Sequence, residues 1–182
     1  MGPIELFFLG IGAMIVLVAI VRGYDRELGN SIVAQVTIFI ISFFEGRIEG
    51  ALNIIAIDIF SVSGEGANLF KFLFLSIIFS SIIMASYWGV TLDFPGKPKP
   101  PPEGTLISIG MGLLNAYLIG GTIWYFLDKY QYPIAVLGLY QPPLTATAQE
   151  IIQFLPPKLF GPGNEVYWVI PSALLMLLRV RG

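Results

Sequence analysis

The chain contains no cysteine and no histidine. Structural zinc and iron–sulfur clusters are held by thiolates or imidazoles, so the composition excludes both kinds of site, and haem held by His or Cys is excluded with them. Nucleophilic catalysis of the Ser–His or Cys–His type lacks its base or its nucleophile. The sequence therefore predicts no catalytic, metal-binding or cofactor-binding residue, and we expect a protein that is not an enzyme.

Charge is also scarce. Only 12% of the 182 residues are charged, whereas 55% are hydrophobic, and a typical soluble domain carries about 25% charged residues. The formal net charge is −2, so the chain has no basic surface of the kind that binds nucleic acid. This balance favours an integral membrane protein whose apolar exterior is solvated by the lipid bilayer.

Long uncharged runs divide the chain, and they lie at 6–21, 28–44, 72–92 and 104–127. At ~1.5 Å per residue the last two reach roughly 32 and 36 Å, enough to cross the hydrocarbon core. The first two are slightly short but can borrow flanking residues whose charged ends snorkel. We expect an all-α, polytopic membrane bundle with about four spans, at about 4–22, 28–45, 70–92 and 104–127.

The connecting segments are less regular. Residues 46–66 have apolar side chains at helical spacing, which favours an interfacial helix, although a frayed extension of the second span is equally compatible. Asp58 would be a buried titrating group if this segment dips inward. Residues 95–102 are rich in proline and predict a stiff linker.

Residues 129–182 predict an irregular tail with short interfacial or re-entrant helices. Thr145 to Leu155 can form a short helix, capped by Thr145 or Thr147 and ended by Pro156. The uncharged run 166–178 is too short to span comfortably, and a fifth, tilted span is the alternative.

One face of the fourth span is lined by small residues, which favour close contact between helices. They recur every four residues: Ser108, Gly112, Ala116 and Gly120. Asn115 lies near this face and can hydrogen-bond to another helix, and Ser76 and Ser80 of the third span offer a matching surface. The pattern leaves open whether the contact is within the chain or with another subunit.

A short charged loop joins the first two spans, and its candidate docking or head-group residues are Arg22, Tyr24, Arg26 and Glu27. Arg22 and Arg26 are four apart, as suits one helical face, and acidic neighbours can pair with them. A snorkelling interfacial loop is the structural alternative. We expect the carboxylates beside the spans to be solvated at the membrane edges, with no charge at mid-bilayer.

Two features bear on placement in the membrane. Aromatic residues near the ends of the spans predict an interfacial belt, and they are Tyr87, Trp88, Trp124, Tyr125, Tyr130 and Tyr132. The distribution of basic residues between the loops slightly favours a cytoplasmic first loop, with the N-terminus outside. The residues before Leu6 carry no positive side chain, so the first span is expected to remain as an anchor.

Two of these segments resemble the colicin V production protein family. Residues 22–27, Arg-Gly-Tyr-Asp-Arg-Glu, are similar to the short loop after the first span of that family, and the glycine-rich residues 110–121 are similar to its last span. The resemblance covers roughly residues 5–128. It implies a multi-pass protein of the bacterial inner membrane, linked to toxin export or envelope homeostasis, and it transfers no catalytic residue.

Three functions remain in competition. The first is an accessory subunit of a larger bacterial membrane assembly, with other membrane subunits as partners; respiratory and photosynthetic electron-transfer complexes are examples. The second is a free-standing protein of secretion or envelope homeostasis. The third is a small transporter or channel, which would require broken helices around a midplane site.

Overall fold

The computed structural model describes residues 2–89, 100–135, 144–160 and 163–181, and all regular structure in these ranges is helical. The α-helices are α1 (Pro3–Arg22), α2 (Tyr24–Phe43), α3 (Glu45–Asn53), α4 (Glu65–Trp88), α5 (Glu103–Lys129), α6 (Ala146–Gln153) and α7 (Val169–Arg181). A π-helical turn, Ile54–Ile59, extends α3, and 3₁₀ turns lie at Pro156–Lys158 and Glu165–Trp168. The all-α prediction is confirmed.

Within the described ranges, three helices are long and apolar enough to cross a membrane, and they are α1, α4 and α5. Helix α2 and the helical segment after it are long and apolar enough to cross when they are taken together, but they are bent by 68° relative to each other. The count rises to four if these two form one broken span. The structure therefore has three or four membrane-crossing candidates where the sequence predicted four.

Residues 46–66 begin as α3 and continue into the π-helical turn. The 68° bend at Phe44 separates this segment from α2, so it is not a plain extension of the second helix. Asp58 lies on the π-helical turn and is exposed. Asp58 is therefore not buried within the protein, and the alternative of a titrating group inside the bilayer stays a prediction.

The small-residue face of α5 packs against α1, which runs antiparallel to it. A Cβ added at Gly112 would lie 2.7 Å from Ala19 Cβ and 3.0 Å from Val16 Cα, and Gly120 faces Phe8. The absence of side chains at these positions lets the two backbones approach closely. This contact lies within the chain.

The serines of α4 are placed differently from the prediction. The small-residue face of α5 meets α1 rather than Ser76 and Ser80. Ser80 is exposed, and the buried Ser76 Oγ has no hydrogen-bond partner among the described residues. Ser108 of α5 is buried and donates to the Gly104 carbonyl of its own helix at 2.9 Å.

The tail contains more helical structure than its many prolines suggested. Thr145 caps α6, because its side chain accepts a hydrogen bond from the Ala148 amide at 3.1 Å. Pro156 packs directly on α5, where a Cβ at Gly121 would lie 2.5 Å from Pro156 Cδ. Lys158 then pairs with Asp128 at 2.8 Å, so the tail is fastened to the end of α5.

The segment 166–178 is helical over most of its length. Its helix α7 lies against α2, where Ser172 Oγ donates to Gln35 Oε1 at 2.9 Å. Of the predicted proline-rich linker 95–102, residues 95–99 lie outside the described residues, and 100–102 lead directly into α5.

Several predicted belt aromatics belong to the core instead. Trp124 is buried and stacks on Phe8 with ring centroids 4.9 Å apart, and Tyr130 and Tyr132 are buried as well. Trp88, at the end of α4, is 86% exposed, as the belt requires. The prediction was wrong for the buried rings because a position near a helix end does not decide which way a side chain faces.

Substituting Gly112 by valine should push α1 away from α5, because the added atoms would overlap Ala19 and the Val16 backbone. Overpacking of this kind costs about 1–3 kcal/mol. We expect a lower midpoint of thermal unfolding in detergent. Gly110→Val is the control, since nothing lies within 4 Å of its Cβ position; equal losses in both variants would contradict the proposed close contact.

Candidate functional site

A sharp turn between α1 and α2 brings two opposite charges together. Gly23 has a φ of 87°, a left-handed conformation that glycine adopts without steric cost. Arg22 therefore ends α1 and Glu27 lies in the first turn of α2. Arg22 and Arg26 do not share a helical face, contrary to the sequence prediction, because the helix is broken between them.

Glu27 faces the interior of the bundle and is completely buried. Its carboxylate accepts hydrogen bonds from Arg22 Nη1 at 3.1 Å, from the Tyr87 hydroxyl at 3.1 Å and from Asn115 Nδ2 at 2.8 Å. These donors come from three different helices, α1, α4 and α5. A single carboxylate thus contacts every long helix that packs around α2.

Asn115 is the deepest partner, near the middle of α5, and is also completely buried. Its amide nitrogen has two hydrogens, which reach Glu27 Oε2 and the Glu27 carbonyl at 2.8 and 3.0 Å. Its oxygen accepts from Ser31 Oγ at 2.6 Å. Asn115 therefore bonds across to α2, as its place beside the small-residue face predicted.

Arg22 makes further contacts at the end of α4. Its Nη2 donates to the Tyr87 carbonyl at 3.0 Å, and the guanidinium carbon lies 4.4 Å from the centroid of the Tyr87 ring. The Asn30 carboxamide lies between Arg22 Nη1 at 2.8 Å and Ser86 Oγ at 2.7 Å. It is satisfied when its oxygen faces Arg22 and its nitrogen faces Ser86.

We call this set the Glu27 cluster: Arg22, Glu27, Asn30, Ser31, Ser86, Tyr87 and Asn115. Burying a charge is costly unless it is paired and hydrogen-bonded, and both conditions are met here. The expectation of solvated carboxylates at the membrane edges is wrong for Glu27, which has no exposed surface.

A second charged group lies at the other end of the bundle. Lys129 Nζ is 2.6 Å from Glu45 Oε1 and 3.4 Å from Glu49 Oε2, and Lys71 Nζ is 2.9 Å from Glu49 Oε1. Tyr130 donates to Glu49 at 2.8 Å. Burial, together with the adjacent Glu49 carboxylate, raises the pKa of Tyr130. These contacts fasten α3 to α4 and α5.

The remaining loop residues lie outside the Glu27 cluster. Arg26 is exposed and Tyr24 is half-buried, so only Arg22 and Glu27 of the predicted docking loop are brought together. Sequence reasoning missed Asn30, Ser31, Ser86 and Tyr87. The spacing of Glu27, Asn30 and Ser31, at i, i+3 and i+4, places them on one face of a helix and was the available signal.

The polar atoms of the Glu27 cluster are directed at one another and are used in contacts between α1, α2, α4 and α5. Among the residues that the structure describes, no three Asp or Glu side chains converge as metal ligands would.

Comparisons with protein-family models, curated proteins and solved structures found no match for this chain. The resemblance to the colicin V production family therefore stays a prediction.

Replacing Arg22 by methionine should destabilise the fold by about 3–5 kcal/mol, because Glu27 would be left as a buried charge without its counter-charge. The double variant Arg22→Met/Glu27→Met should lose less than the sum of the two single variants. Unfolding in detergent, followed by circular dichroism, measures both. Arg26→Met is the control and should change stability by less than about 0.5 kcal/mol; additive single losses would show that the pair is not coupled.

Proposed function

We propose that this chain is a non-catalytic integral membrane subunit, an accessory component of a larger assembly in a bacterial inner membrane. The distribution of side chains supports the membrane setting. The interior holds the polar Glu27 cluster, whereas the outward face of α1 carries large apolar side chains: Leu6, Leu9, Met14, Leu17 and Val21 are 55%, 58%, 68%, 63% and 87% exposed.

Exposed glycines on the outer surface support the proposal that the chain has a partner subunit. Glycine inside a helix costs about 0.8–1 kcal/mol relative to alanine. Gly112 and Gly121 offset this cost by close packing on α1 and on Pro156. Gly10 of α1 and Gly110 of α5 are exposed, and nothing lies within 4 Å of their Cβ positions. A helix from another subunit packed there would supply the missing compensation.

The way in which the Glu27 cluster is used supports the non-catalytic part of the proposal. Its polar groups are used in contacts between α1, α2, α4 and α5. What such a subunit offers a partner is a rigid apolar surface, and electron-transfer complexes are one setting in which small polytopic subunits of this kind occur.

Enlarging the outward glycines should separate the chain from its assembly without unfolding it. We expect Gly10→Leu and Gly110→Leu to move the protein from a high-mass band to a monomer band on native gels of membranes solubilised in mild detergent. Ala85→Leu, a similar enlargement at an exposed position of α4, is the matched control and should stay in the high-mass band. A wild-type protein that runs only as a monomer would remove the proposal.

One observation favours the second candidate, a free-standing colicin V production-like protein. The two segments that carry the resemblance, 22–27 and 110–121, are distant in sequence but meet in the structure through Glu27 and Asn115, which are 88 positions apart. Both segments therefore contribute to one buried contact, which gives a shared structural reason for their residue types.

A deletion strain tests this second candidate. We expect increased sensitivity to envelope stress or a loss of toxin export, restored by the wild-type gene and not by Asn115→Leu, which leaves Glu27 without its amide donor. Ala85→Leu, at an exposed position of α4, should restore the phenotype fully. Normal envelope tolerance and normal export in the deletion strain would count against this function.

A further inference from the structure

An apolar groove runs along the outside of the bundle between α2 and α4. Its volume is about 620 Å³, and its walls include Val36, Ile40, Ile48, Phe74, Ile78 and Met176. Thr37 also lines it, but the Thr37 hydroxyl donates to the Val33 carbonyl of its own helix at 2.7 Å. The groove therefore presents an apolar surface to its occupant and does not require the occupant to form a hydrogen bond.

The length of the groove limits what can fill it. On α2 the walls extend from Ile32 to Ile41, which is about 14 Å at ~1.5 Å per residue. One leaflet of a bilayer is about half of the ~30 Å hydrocarbon core. A membrane-spanning partner helix needs the full thickness, so the groove matches a single acyl chain better than a helix.

A basic residue precedes the part of α3 that lines one end of the groove. Ile48 of α3 lines that end, and the preceding residue, Arg47, is exposed. The neighbouring carboxylates Glu45 and Glu49 are engaged by Lys71 and Lys129. Within the described part of the chain Arg47 is in no ion pair, and its guanidinium carbon lies 5.7 Å from the centroid of the Phe44 ring.

We propose that this groove binds one acyl chain of an anionic phospholipid, with the lipid phosphate at Arg47. The apolar walls and the leaflet-deep length select the chain, and the exposed arginine selects a negatively charged head group. A phosphate accepts two parallel hydrogen bonds from a guanidinium, which suits arginine for this role. The proposal does not depend on the chain having a partner subunit.

Native mass spectrometry of the purified full chain tests the proposal. The protein is incubated with equimolar phosphatidylglycerol and phosphatidylcholine, and we expect one retained lipid with a preference for phosphatidylglycerol. Ile78→Trp should fill the groove and reduce retained lipid at least tenfold relative to Leu17→Trp, an equal enlargement on the outward face of α1. Equal retention in these two variants would overturn the proposal.

The head-group contact is tested separately. Arg47→Gln should lower the ratio of bound phosphatidylglycerol to bound phosphatidylcholine about fivefold, the effect of one basic residue near an anionic surface. Lys158→Gln, which removes a cation that is paired with Asp128 in the tail, should leave the ratio unchanged. The same ratio in both variants would refute the role of Arg47.

A photoreactive residue at position 78 identifies the occupant of the groove without a substitution that blocks the groove. A higher ratio of phosphatidylglycerol to phosphatidylcholine adducts at position 78 than at position 17, which faces bulk lipid, supports the proposal, and equal ratios at the two positions overturn it. Crosslinking to a second copy of the chain or to another protein, with no lipid adduct, overturns it.

Discussion

The buried Glu27 carboxylate is the interaction on which the arrangement of the long helices depends. It has no exposed surface, yet Arg22, Tyr87 and Asn115 all donate to it. Burial of apolar surface stabilises contact between the helices but is non-directional. A fully satisfied buried charge is directional, since a shift of α1, α4 or α5 removes a donor and leaves the desolvation of the carboxylate uncompensated.

The rest of the fold follows from this constraint and from one close contact. The glycine face of α5 holds α1 close, and Arg22 at the end of α1 reaches Glu27 across the Gly23 turn. At the opposite end, Lys71 and Lys129 hold α3 through Glu45 and Glu49. Small residues thus set the distance between helices, and charges at the two ends set their register.

The sequence alone predicted the helical class and the apolar character of the spans, because uncharged runs report directly on the solvent that the chain requires. It also predicted the cap at Thr145 and a helix contact at Gly112. It failed where the direction of a side chain decides whether that side chain is buried. Glu27, Trp124 and Tyr130 lie near helix ends, and only tertiary packing determines that they turn inward. The 68° bend after α2 lies at Phe44, where no proline marks it in the sequence.

The distance in sequence between Glu27 and Asn115, 88 positions, has a consequence for biosynthesis. When the first helical hairpin enters the membrane, α4 and α5 have not yet been made, and neither Tyr87 nor Asn115 is available. Arg22, five positions away, is already present and can neutralise the carboxylate during this interval. The local ion pair can therefore form first, and the donors from α4 and α5 complete the hydrogen bonding of Glu27 later.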